Sequence, residues 1–208
     1  MEYLVWWPFV AAYLLGSLPF GLLLPLIFKG QDVRTAGSGN IGSTNVIRTA
    51  GKKIGATVQA LDILKGVAAA ALCRHFLAGQ LGSLPADAIA GLGTVAAVIG
   101  HCYPLWLKFN GGKGVNAALG GTLVAGWVPA LLSLALFFPL FFRTRMVSLA
   151  AMIAVCSFPL WAAVVAFFLG PAWSSYALAL SGLPFVLIIL WRHRGNISRL
   201  RAGTELKM

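Results

Sequence analysis

Charged residues are scarce in this 208-residue chain, and acidic residues are the scarcest of all. Only 10% of the residues are charged, against roughly a quarter in an ordinary soluble domain. Five Asp or Glu stand against sixteen Lys or Arg, and 59% of the residues are hydrophobic. The mean hydropathy is +0.86. This composition excludes a soluble globular domain and predicts an all-α, polytopic integral membrane protein.

The chain also lacks the residues of a disulfide framework or a metal centre. Its three cysteines, Cys73, Cys102 and Cys156, are isolated and form no C-x-x-C pair. Its five carboxylates are too scattered for the aspartate-rich metal site of an alcohol phosphotransferase, and no G-x-S-x-G elbow exists for an acyl-enzyme. We therefore expect chemistry that uses no metal, no cofactor and no obvious protein nucleophile.

Long apolar segments fill most of the chain. A helical span needs about 20 mostly apolar residues, fewer where it is broken or partly buried in protein. The interval Val115–Phe142 is too long for one crossing, and Gly126 and Pro129 interrupt it, so two short helices are predicted there. Seven spans are predicted in Leu4–Ile27, Ile54–His75, Ala86–Leu107, Val115–Phe142 (two), Val147–Leu169 and Trp173–Trp191. The first should be a retained span, because no basic n-region or small-residue cleavage site is visible.

The basic residues are concentrated in four stretches between these spans. They are Lys29–Lys53, Lys108–Lys113, Arg143–Arg145 and Arg192–Lys207. Seven crossings place all four on one face, which the positive-inside rule assigns to the cytoplasm, with the N-terminus outside and the C-terminus cytoplasmic. That rule accounts for most of the basic surplus, so no nucleic-acid partner is expected. Residues 1–208 are predicted to form a single transmembrane domain.

The first basic stretch contains the glycine-rich sequence TAGSGNIGSTNVIRTAGKK. Glycines such as Gly39 free the backbone to turn N–H groups toward an anion. Arg48 can add a bidentate fork. Further hydrogen bonds to an anion can come from Ser38, Asn40, Thr44 and Asn45. GSGNIG also matches the dinucleotide-binding pattern, but no strand precedes it, so that interpretation fails. The alternative to anion binding is a flexible turn whose basic residues only set the membrane topology.

The second stretch, GHCYPLWLKFNGGKGV, places Lys113 among Gly111, Gly112 and Gly114. No Ser or Thr follows the lysine, so the magnesium-binding hydroxyl of a P-loop is missing. What remains is the positive charge of Lys113, held in a flexible glycine-rich backbone, which could bind a phosphate. A simple turn that holds Lys113 at the level of the lipid head groups is the alternative.

The last two basic stretches, RTRMVS and WRHRGNISRLRAGTE, are less specific by themselves. Arg145 can be a topological anchor and Ser148 a helix residue. His193 lies between arginines at a membrane exit, followed by Asn196, and is well placed to handle a proton. Glu205 is expected to pair with a basic neighbour.

Two intramembrane charges also need an explanation. Asp62 and Lys65 fall within the second predicted span. Because charges are costly inside a membrane, the two are expected to form a buried polar pair.

Taken together, these segments resemble a known family. GSGNIGSTNVIR with the following GKK and LDILKG, GHCYPLWLKFNGGKGV, RTRMVSL and RGNISRLRAGTE are similar to the acyl-phosphate:glycerol-3-phosphate acyltransferases of bacterial membranes, the PlsY family. The resemblance covers nearly the whole chain, in order. One departure is visible: Asn116-Ala117 follow GGKGV, where family members commonly have Ala-Thr.

The resemblance implies seven spans, a cytoplasmic active site in the bacterial inner membrane, and transfer of a fatty acyl group from acyl phosphate to the sn-1 hydroxyl of glycerol 3-phosphate. The products are lysophosphatidic acid and phosphate, and no protein partner is required. It implies catalytic roles for Arg48, Lys113, Ser148, His193 and Asn196. It implies phosphate binding by Ser38, Gly39, Asn40, Thr44, Asn45, Gly111, Gly112, Gly114 and Arg145.

Two questions stay open at this point. The proton acceptor for the attacking hydroxyl is either His193 or a substrate phosphate oxygen, and substrate assistance is favoured. A membrane carrier for small phosphorylated anions would use the same basic, glycine-rich features.

Overall fold

The computed structural model of the chain describes residues 6–171 and 173–208, in which the regular structure is helical throughout. The α-helices are α1 Trp7–Gly16, α2 Phe20–Lys29, α3 Ser43–Ala50, α4 Lys52–Leu77, α5 Ala86–Cys102, α6 Val115–Ala125, α7 Trp127–Thr144, α8 Val147–Leu169, α9 Tyr176–Arg192 and α10 Arg194–Arg201. Two 3-10 turns, Val33–Thr35 and Leu105–Leu107, lie in the connections.

The expected polytopic helical architecture is confirmed. By length and hydropathy, five helical segments of the described residues can cross a membrane: Trp7–Lys29, Lys52–Leu77, Ala86–Leu107, Trp127–Thr144 and Val147–Leu169. A sixth is possible if α9 and α10, which are bent by 57°, count as one span. The predicted break at Gly126 is present between α6 and α7, and α6 is a short apolar helix of 11 residues. The first residues of the first predicted span, Leu4 and Val5, lie outside the described range.

A break that the sequence did not predict divides the first span into α1 and α2. Helix α1 ends at Gly16, and Pro19 caps α2. Such a break leaves backbone carbonyls without helical partners. The buried Lys65 side chain supplies one partner, since its Nζ donates a hydrogen bond to the Leu18 carbonyl oxygen at 2.9 Å. The same Nζ lies 2.8 Å from Asp62 Oδ1, which confirms the predicted buried pair.

Helix α5 occupies the centre of the bundle and packs against α1, α4, α6 and α9. Helices α4 and α6 approach each other closely through glycines. A Cβ atom on Gly66 would lie 2.1 Å from the Ala117 carbonyl oxygen, and one on Gly120 would lie 1.9 Å from that of Ile63. Small residues at such contacts let membrane helices pack backbone to backbone. This packing fixes the start of α6, and therefore the position of Lys113 just before it.

The outer helix faces expose large apolar side chains. Phe167 and Phe168 on α8 and Leu187 on α9 are each about 70% exposed. Exposed apolar area on this scale is typical of a surface that faces lipid. We conclude that the chain is a multi-pass membrane protein.

Candidate active site

A cavity of about 280 Å³ collects residues from three of the four basic stretches and from Val147 and Ser148, just after the other one, Arg143–Arg145. It is called the polar cavity below. Of the predicted site residues, those that line it are Ser38, Asn40, Thr44, Asn45, Arg48, Lys113, Gly114, Ser148, His193 and Asn196. Four others do not line it: Gly39, Gly111, Gly112 and Arg145. Segments far apart in sequence therefore form one site.

The first loop (residues 30–42) is held in shape by Asn45 in α3. The Asn45 side chain is 2% exposed, and its Oδ1 accepts a hydrogen bond from the Ser38 backbone N–H at 2.8 Å. Its Nδ2 donates to the carbonyl oxygens of Val33 and Ala36 at 2.9 and 3.1 Å. Both polar atoms of this side chain are thus engaged within the protein. Asn45 shapes the loop, and contact with a phosphate stays a prediction for it.

Glycine is needed where this loop passes Asn45. Gly37 and Gly39 have φ angles of +61° and +68°, a left-handed conformation that side chains disfavour. A Cβ on Gly37 would also lie 2.3 Å from Asn45 Oδ1. Asn40 makes a local turn, since its Oδ1 accepts from the Gly42 N–H at 2.8 Å. The glycines of this motif therefore allow the first loop to be compact and to pack against α3.

The Gly-Lys loop (residues 108–114) is fixed from two sides. The N–H groups of Gly111 and Gly112 donate to the carbonyl oxygens of Cys102 and His101 at the end of α5, at 3.1 and 3.0 Å. A Cβ on Gly112 would lie 2.0 Å from His101 Nε2, so close packing requires glycine there. These two glycines shape the loop, and their contact with phosphate stays a prediction.

The other side of the Gly-Lys loop is held by Arg192, the last residue of α9. Its Nε donates to the Gly112 carbonyl oxygen at 3.0 Å and its Nη2 to that of Gly111 at 2.6 Å. The guanidinium carbon lies 5.4 Å from the centre of the Tyr103 ring. This role was not predicted from the sequence. The only signal was the position of an arginine at a helix end, directly before His193.

Lys113 and the C-terminal segment meet in one hydrogen-bonded network. Lys113 Nζ donates to Asn196 Oδ1 at 2.5 Å, and Asn196 Nδ2 donates to Glu205 Oε1 at 2.6 Å. Ser148 Oγ donates to the same oxygen at 2.7 Å, and Arg199 Nε donates to Glu205 Oε2 at 2.9 Å. The predicted pairing of Glu205 with a basic neighbour is confirmed. Its role as the common acceptor for three side chains was not foreseen.

The electrostatics of this network favour an anionic ligand. Burial lowers the pKa of Lys113 to about 8, although Glu205 opposes the shift, while nearby Arg199 and Arg48 add to it. Burial alone would raise the pKa of Glu205, but hydrogen bonds from Ser148, Asn196 and Arg199 outweigh it and lower that pKa. A bound phosphate would supply negative charge to balance the cations around Lys113.

His193 lies at the bend between α9 and α10 and is 2% exposed. Its Nδ1 is 2.8 Å from the Ile189 carbonyl oxygen. A carbonyl only accepts hydrogen bonds, so Nδ1 carries the hydrogen and the neutral ring keeps Nε2 as an acceptor. This tautomer can receive a hydrogen bond, or a proton, from a hydroxyl bound in the polar cavity.

Arg48 completes one wall of the polar cavity. It is half-buried, and its Nη2 donates to the Leu206 carbonyl oxygen at 3.3 Å, so α3 is linked to the C-terminal segment. Arg145, by contrast, is exposed outside the cavity, and its carbonyl oxygen accepts from the Met208 N–H at 2.9 Å. Phosphate binding by Arg145 therefore stays a prediction that its position does not support.

The floor of the polar cavity contains a second buried histidine. His101 Nδ1 lies 3.6 Å from Asp62 Oδ1, and both residues line the cavity. Among residues 6–171 and 173–208, no three His, Cys, Asp or Glu side chains lie together as metal ligands would.

An apolar cavity of about 250 Å³ adjoins the polar one. Side chains of α6, α7, α8 and α9 enclose most of it, including Leu119, Ser133, Phe158 and Phe185. The two cavities share five lining residues: Gln59, Val115, Asn116, Phe137 and Ala151. A ligand with an anionic head and an apolar tail fits this pair of cavities.

Fold and site together define a multi-pass membrane protein with a cationic ligand cavity beside an apolar one. Residues 6–203 match the family described as "Glycerol-3-phosphate acyltransferase". A glycerol-3-phosphate acyltransferase of Rhodopseudomonas palustris (strain BisB5) is 41% identical over 201 residues, which are 96% of this chain and 93% of the relative. One of Mesorhizobium japonicum is 42% identical over 200 residues, with the same coverage. The chain belongs to the glycerol-3-phosphate acyltransferase family.

Solved structures agree with this assignment. A crystal structure of PlsY, described as an integral membrane glycerol 3-phosphate acyltransferase in its glycerol 3-phosphate form, is 35% identical with a TM-score of 0.83. The match covers 98% of this chain and 95% of that one. The lysophosphatidic acid form of PlsY matches with 34% identity and a TM-score of 0.78 over the same shares of the two chains.

Proposed function

We propose that this protein transfers a fatty acyl group from acyl phosphate to the sn-1 hydroxyl of glycerol 3-phosphate, releasing lysophosphatidic acid and phosphate. The whole chain acts as one domain of the bacterial inner membrane, with the polar cavity open to the cytoplasm. Membership of the glycerol-3-phosphate acyltransferase family and the likeness to PlsY in its glycerol 3-phosphate form support the acceptor. Family membership favours this enzyme over a carrier of phosphorylated anions.

The observation that carries the proposal is the junction of the polar and apolar cavities. Lys113, Arg48 and the amide of Asn196 line the polar side, where the phosphates of both substrates would bind. The apolar side, lined by residues such as Phe158, suits a fatty acyl chain that enters from the bilayer. Acyl phosphate carries an anionic head and an apolar tail, so it matches both sides at once.

The reaction needs little from the protein beyond placement and charge. Acyl phosphate is a mixed anhydride with phosphate as a good leaving group, so orienting two polyanions and neutralising their charge lowers much of the barrier. Direct attack by the glycerol hydroxyl is supported by the state of Ser148. Its hydroxyl donates to Glu205, whose carboxylate also accepts from Asn196 and Arg199. These hydrogen bonds lower the pKa of Glu205, so it is a weak base for activating a serine nucleophile.

An assay of purified protein tests the proposal. With glycerol 3-phosphate and a chelator present, acyl phosphate should give lysophosphatidic acid and one equivalent of phosphate, whereas acyl-CoA should give none. Substitution on the sn-1 oxygen is read from the product by NMR. The proposal is overturned if no product forms while acyl phosphate remains intact, or if acyl-CoA is the donor that reacts.

A histidine variant identifies the proton acceptor. We propose that a substrate phosphate oxygen takes the hydroxyl proton, with His193 and Asn196 holding the acceptor substrate. His193→Ala should then lower kcat by roughly 10²-fold, the loss expected when a substrate is misplaced, yet leave turnover above background. His75→Ala, at an exposed histidine in the last turn of α4, is the matched control. Complete loss of turnover at every pH, with the protein folded, would instead assign His193 as the base.

A further inference from the structure

The junction between the two cavities fixes where the reacting carbon of the donor must lie. In acyl phosphate the carbonyl carbon joins the phosphate to the hydrocarbon chain. Under the proposed function, on which this inference rests, the phosphate occupies the polar cavity and the chain the apolar one. The carbonyl group therefore lies beside the residues that line both cavities, which are Gln59, Val115, Asn116, Phe137 and Ala151.

Only two of these five side chains can donate a hydrogen bond to a carbonyl oxygen. Val115, Phe137 and Ala151 are apolar, whereas Asn116 and Gln59 end in amide groups. Gln59 is exposed on α4, and its amide makes no hydrogen bond to another described residue. Asn116 is half-buried in the first turn of α6, where the close packing of α4 against α6 fixes its backbone.

The Asn116 amide is already oriented by a neighbour. Its Nδ2 donates to Ser43 Oγ at 3.0 Å, and Ser43 is buried at the start of α3. An amide nitrogen carries two hydrogens, so one is used by this contact. The second has no acceptor among the described residues and is available to a ligand at the junction. A donor that is held in place before the substrate arrives costs little reorganisation during the reaction.

We propose that Asn116 donates a hydrogen bond to the carbonyl oxygen of acyl phosphate and stabilises the oxyanion that forms there. The glycerol hydroxyl oxygen bonds to the carbonyl carbon, and the carbonyl π electrons move to the oxygen that faces Asn116. As the carbonyl reforms, the bond from carbon to the phosphate oxygen breaks and phosphate leaves with that electron pair. The hydroxyl proton ends on the departing phosphate, so the step is balanced without a further reactant.

Neighbouring donors set the expected size of the effect. Lys113 and Arg48 line the same polar cavity, so Asn116 is not the sole group that could stabilise the oxyanion. Loss of a sole oxyanion donor costs about 10²–10³-fold in kcat. For a donor that supplements others, we expect about tenfold, near the value of one ordinary hydrogen bond.

Two substitutions separate oxyanion stabilisation from a structural role. Asn116→Ala removes the donor and should lower kcat about tenfold, with little change in KM for glycerol 3-phosphate. Asn116→Asp keeps the shape and can accept a hydrogen bond from the Ser43 hydroxyl, so it preserves the link to α3. It places a negative charge against the oxyanion, so its kcat should be lower than that of Asn116→Ala. A role limited to holding Ser43 predicts the reverse order.

Two controls account for simple repulsion of the substrates. Asn110→Asp adds the same charge at an exposed asparagine of the Gly-Lys loop and should leave kcat within about twofold. An alkyl phosphate of equal chain length has the phosphate and tail but no carbonyl, so its inhibition constant should be nearly the same in the wild type and Asn116→Ala.

The outcomes distinguish this inference from the proposed function. If the wild type makes lysophosphatidic acid but Asn116→Ala is equally fast, or Asn116→Asp is faster than Asn116→Ala, the oxyanion role is wrong and the acyltransfer stands. A parallel loss of alkyl phosphate binding in Asn116→Ala also overturns the role, because the effect would not depend on the carbonyl. If the wild type makes no product from acyl phosphate, the proposed function itself fails.

Discussion

The polar and apolar cavities are neighbours of similar volume, about 280 and 250 Å³, yet they are built differently. The polar cavity is assembled from loops and helix ends, and its side chains are joined through one carboxylate, Glu205. The apolar cavity is enclosed by the faces of long helices, and only its volume and shape matter to a hydrocarbon. When one partner in a network of charged hydrogen bonds is lost, the other contacts weaken with it, and a large loss of activity is expected. When an apolar wall is altered, the loss of activity should scale with the volume changed.

The largest effect is expected from the central cation of the polar cavity. Lys113→Ala removes the buried charge that donates to Asn196, and it should lower kcat/KM by about 10³-fold or more, as losses of charge-stabilising groups do. Steady-state kinetics with both substrates measures the loss. Lys108→Ala, at an exposed lysine of the same loop, should stay within about twofold of the wild type. Equal losses in both variants would point to bulk charge in place of a specific site.

A second test breaks the network at its common acceptor. Glu205→Gln keeps the size of the side chain but removes its charge and one acceptor oxygen, so it cannot serve Ser148, Asn196 and Arg199 together. We expect kcat/KM to fall roughly 10²-fold and the thermal midpoint to drop, since hydrogen bonds to charged groups are the stronger ones.

The control for this variant is an acid outside both cavities. Asp32 is paired with Arg34 at 2.6 Å at the surface, and Asp32→Asn should change neither activity nor midpoint measurably. Activity of Glu205→Gln close to that of the wild type would remove Glu205 from the organisation of the site.

The contrast between the cavities also explains what could be predicted from the sequence. Residues of the polar cavity lie in short motifs with a distinctive composition, so Arg48 and Lys113 could be named from the motifs themselves, and the family resemblance added Asn196. Arg192 could not be named in this way, because its two acceptors are carbonyls of Gly111 and Gly112, and backbone atoms leave no trace in the sequence. The roles of the named residues stay predictions, but their convergence on one cavity is observed.

The helices show the same contrast between features that can be predicted from the sequence and features that cannot. Gly126 marked the break between α6 and α7 correctly, since glycine and a nearby proline interrupt an apolar run visibly. The break between α1 and α2 was missed, because hydropathy is continuous across it and the carbonyl that it frees is served by the distant Lys65. The apolar cavity was equally hidden: a residue such as Ser133 looks like any other helix residue until α7 is packed against α8.

The pH dependence tests the polar cavity without mutation. The pKa of Lys113, lowered by burial to about 8, means that the free enzyme carries this charge below pH 8 and loses it above. Because kcat/KM reports the free enzyme, it should fall above pH 8, approaching about tenfold per pH unit. Bound phosphate raises this pKa, so kcat should fall only at a higher pH.

An arginine variant identifies the titrating group. Lys113→Arg keeps a charge throughout the accessible range, so its kcat/KM should be lower overall but flat up to about pH 9.5. The rates are corrected for alkaline hydrolysis of acyl phosphate. The same decline in both proteins would assign the titration to another group.

The smallest effect is expected in the apolar cavity. Ser133 is buried on α7 and lines only the apolar cavity, so Ser133→Leu fills part of its volume without touching the polar cavity. The ratio of kcat/KM for long to short acyl phosphates should fall about fivefold, as expected when the burial of about one methylene group is lost. KM for glycerol 3-phosphate should not change. Leu136→Phe, at an exposed position of the same helix outside both cavities, should leave the ratio unaltered. If Ser133→Leu instead lowers the rate with every chain length equally, the hydrocarbon tail lies elsewhere and the two cavities do not divide one substrate between them.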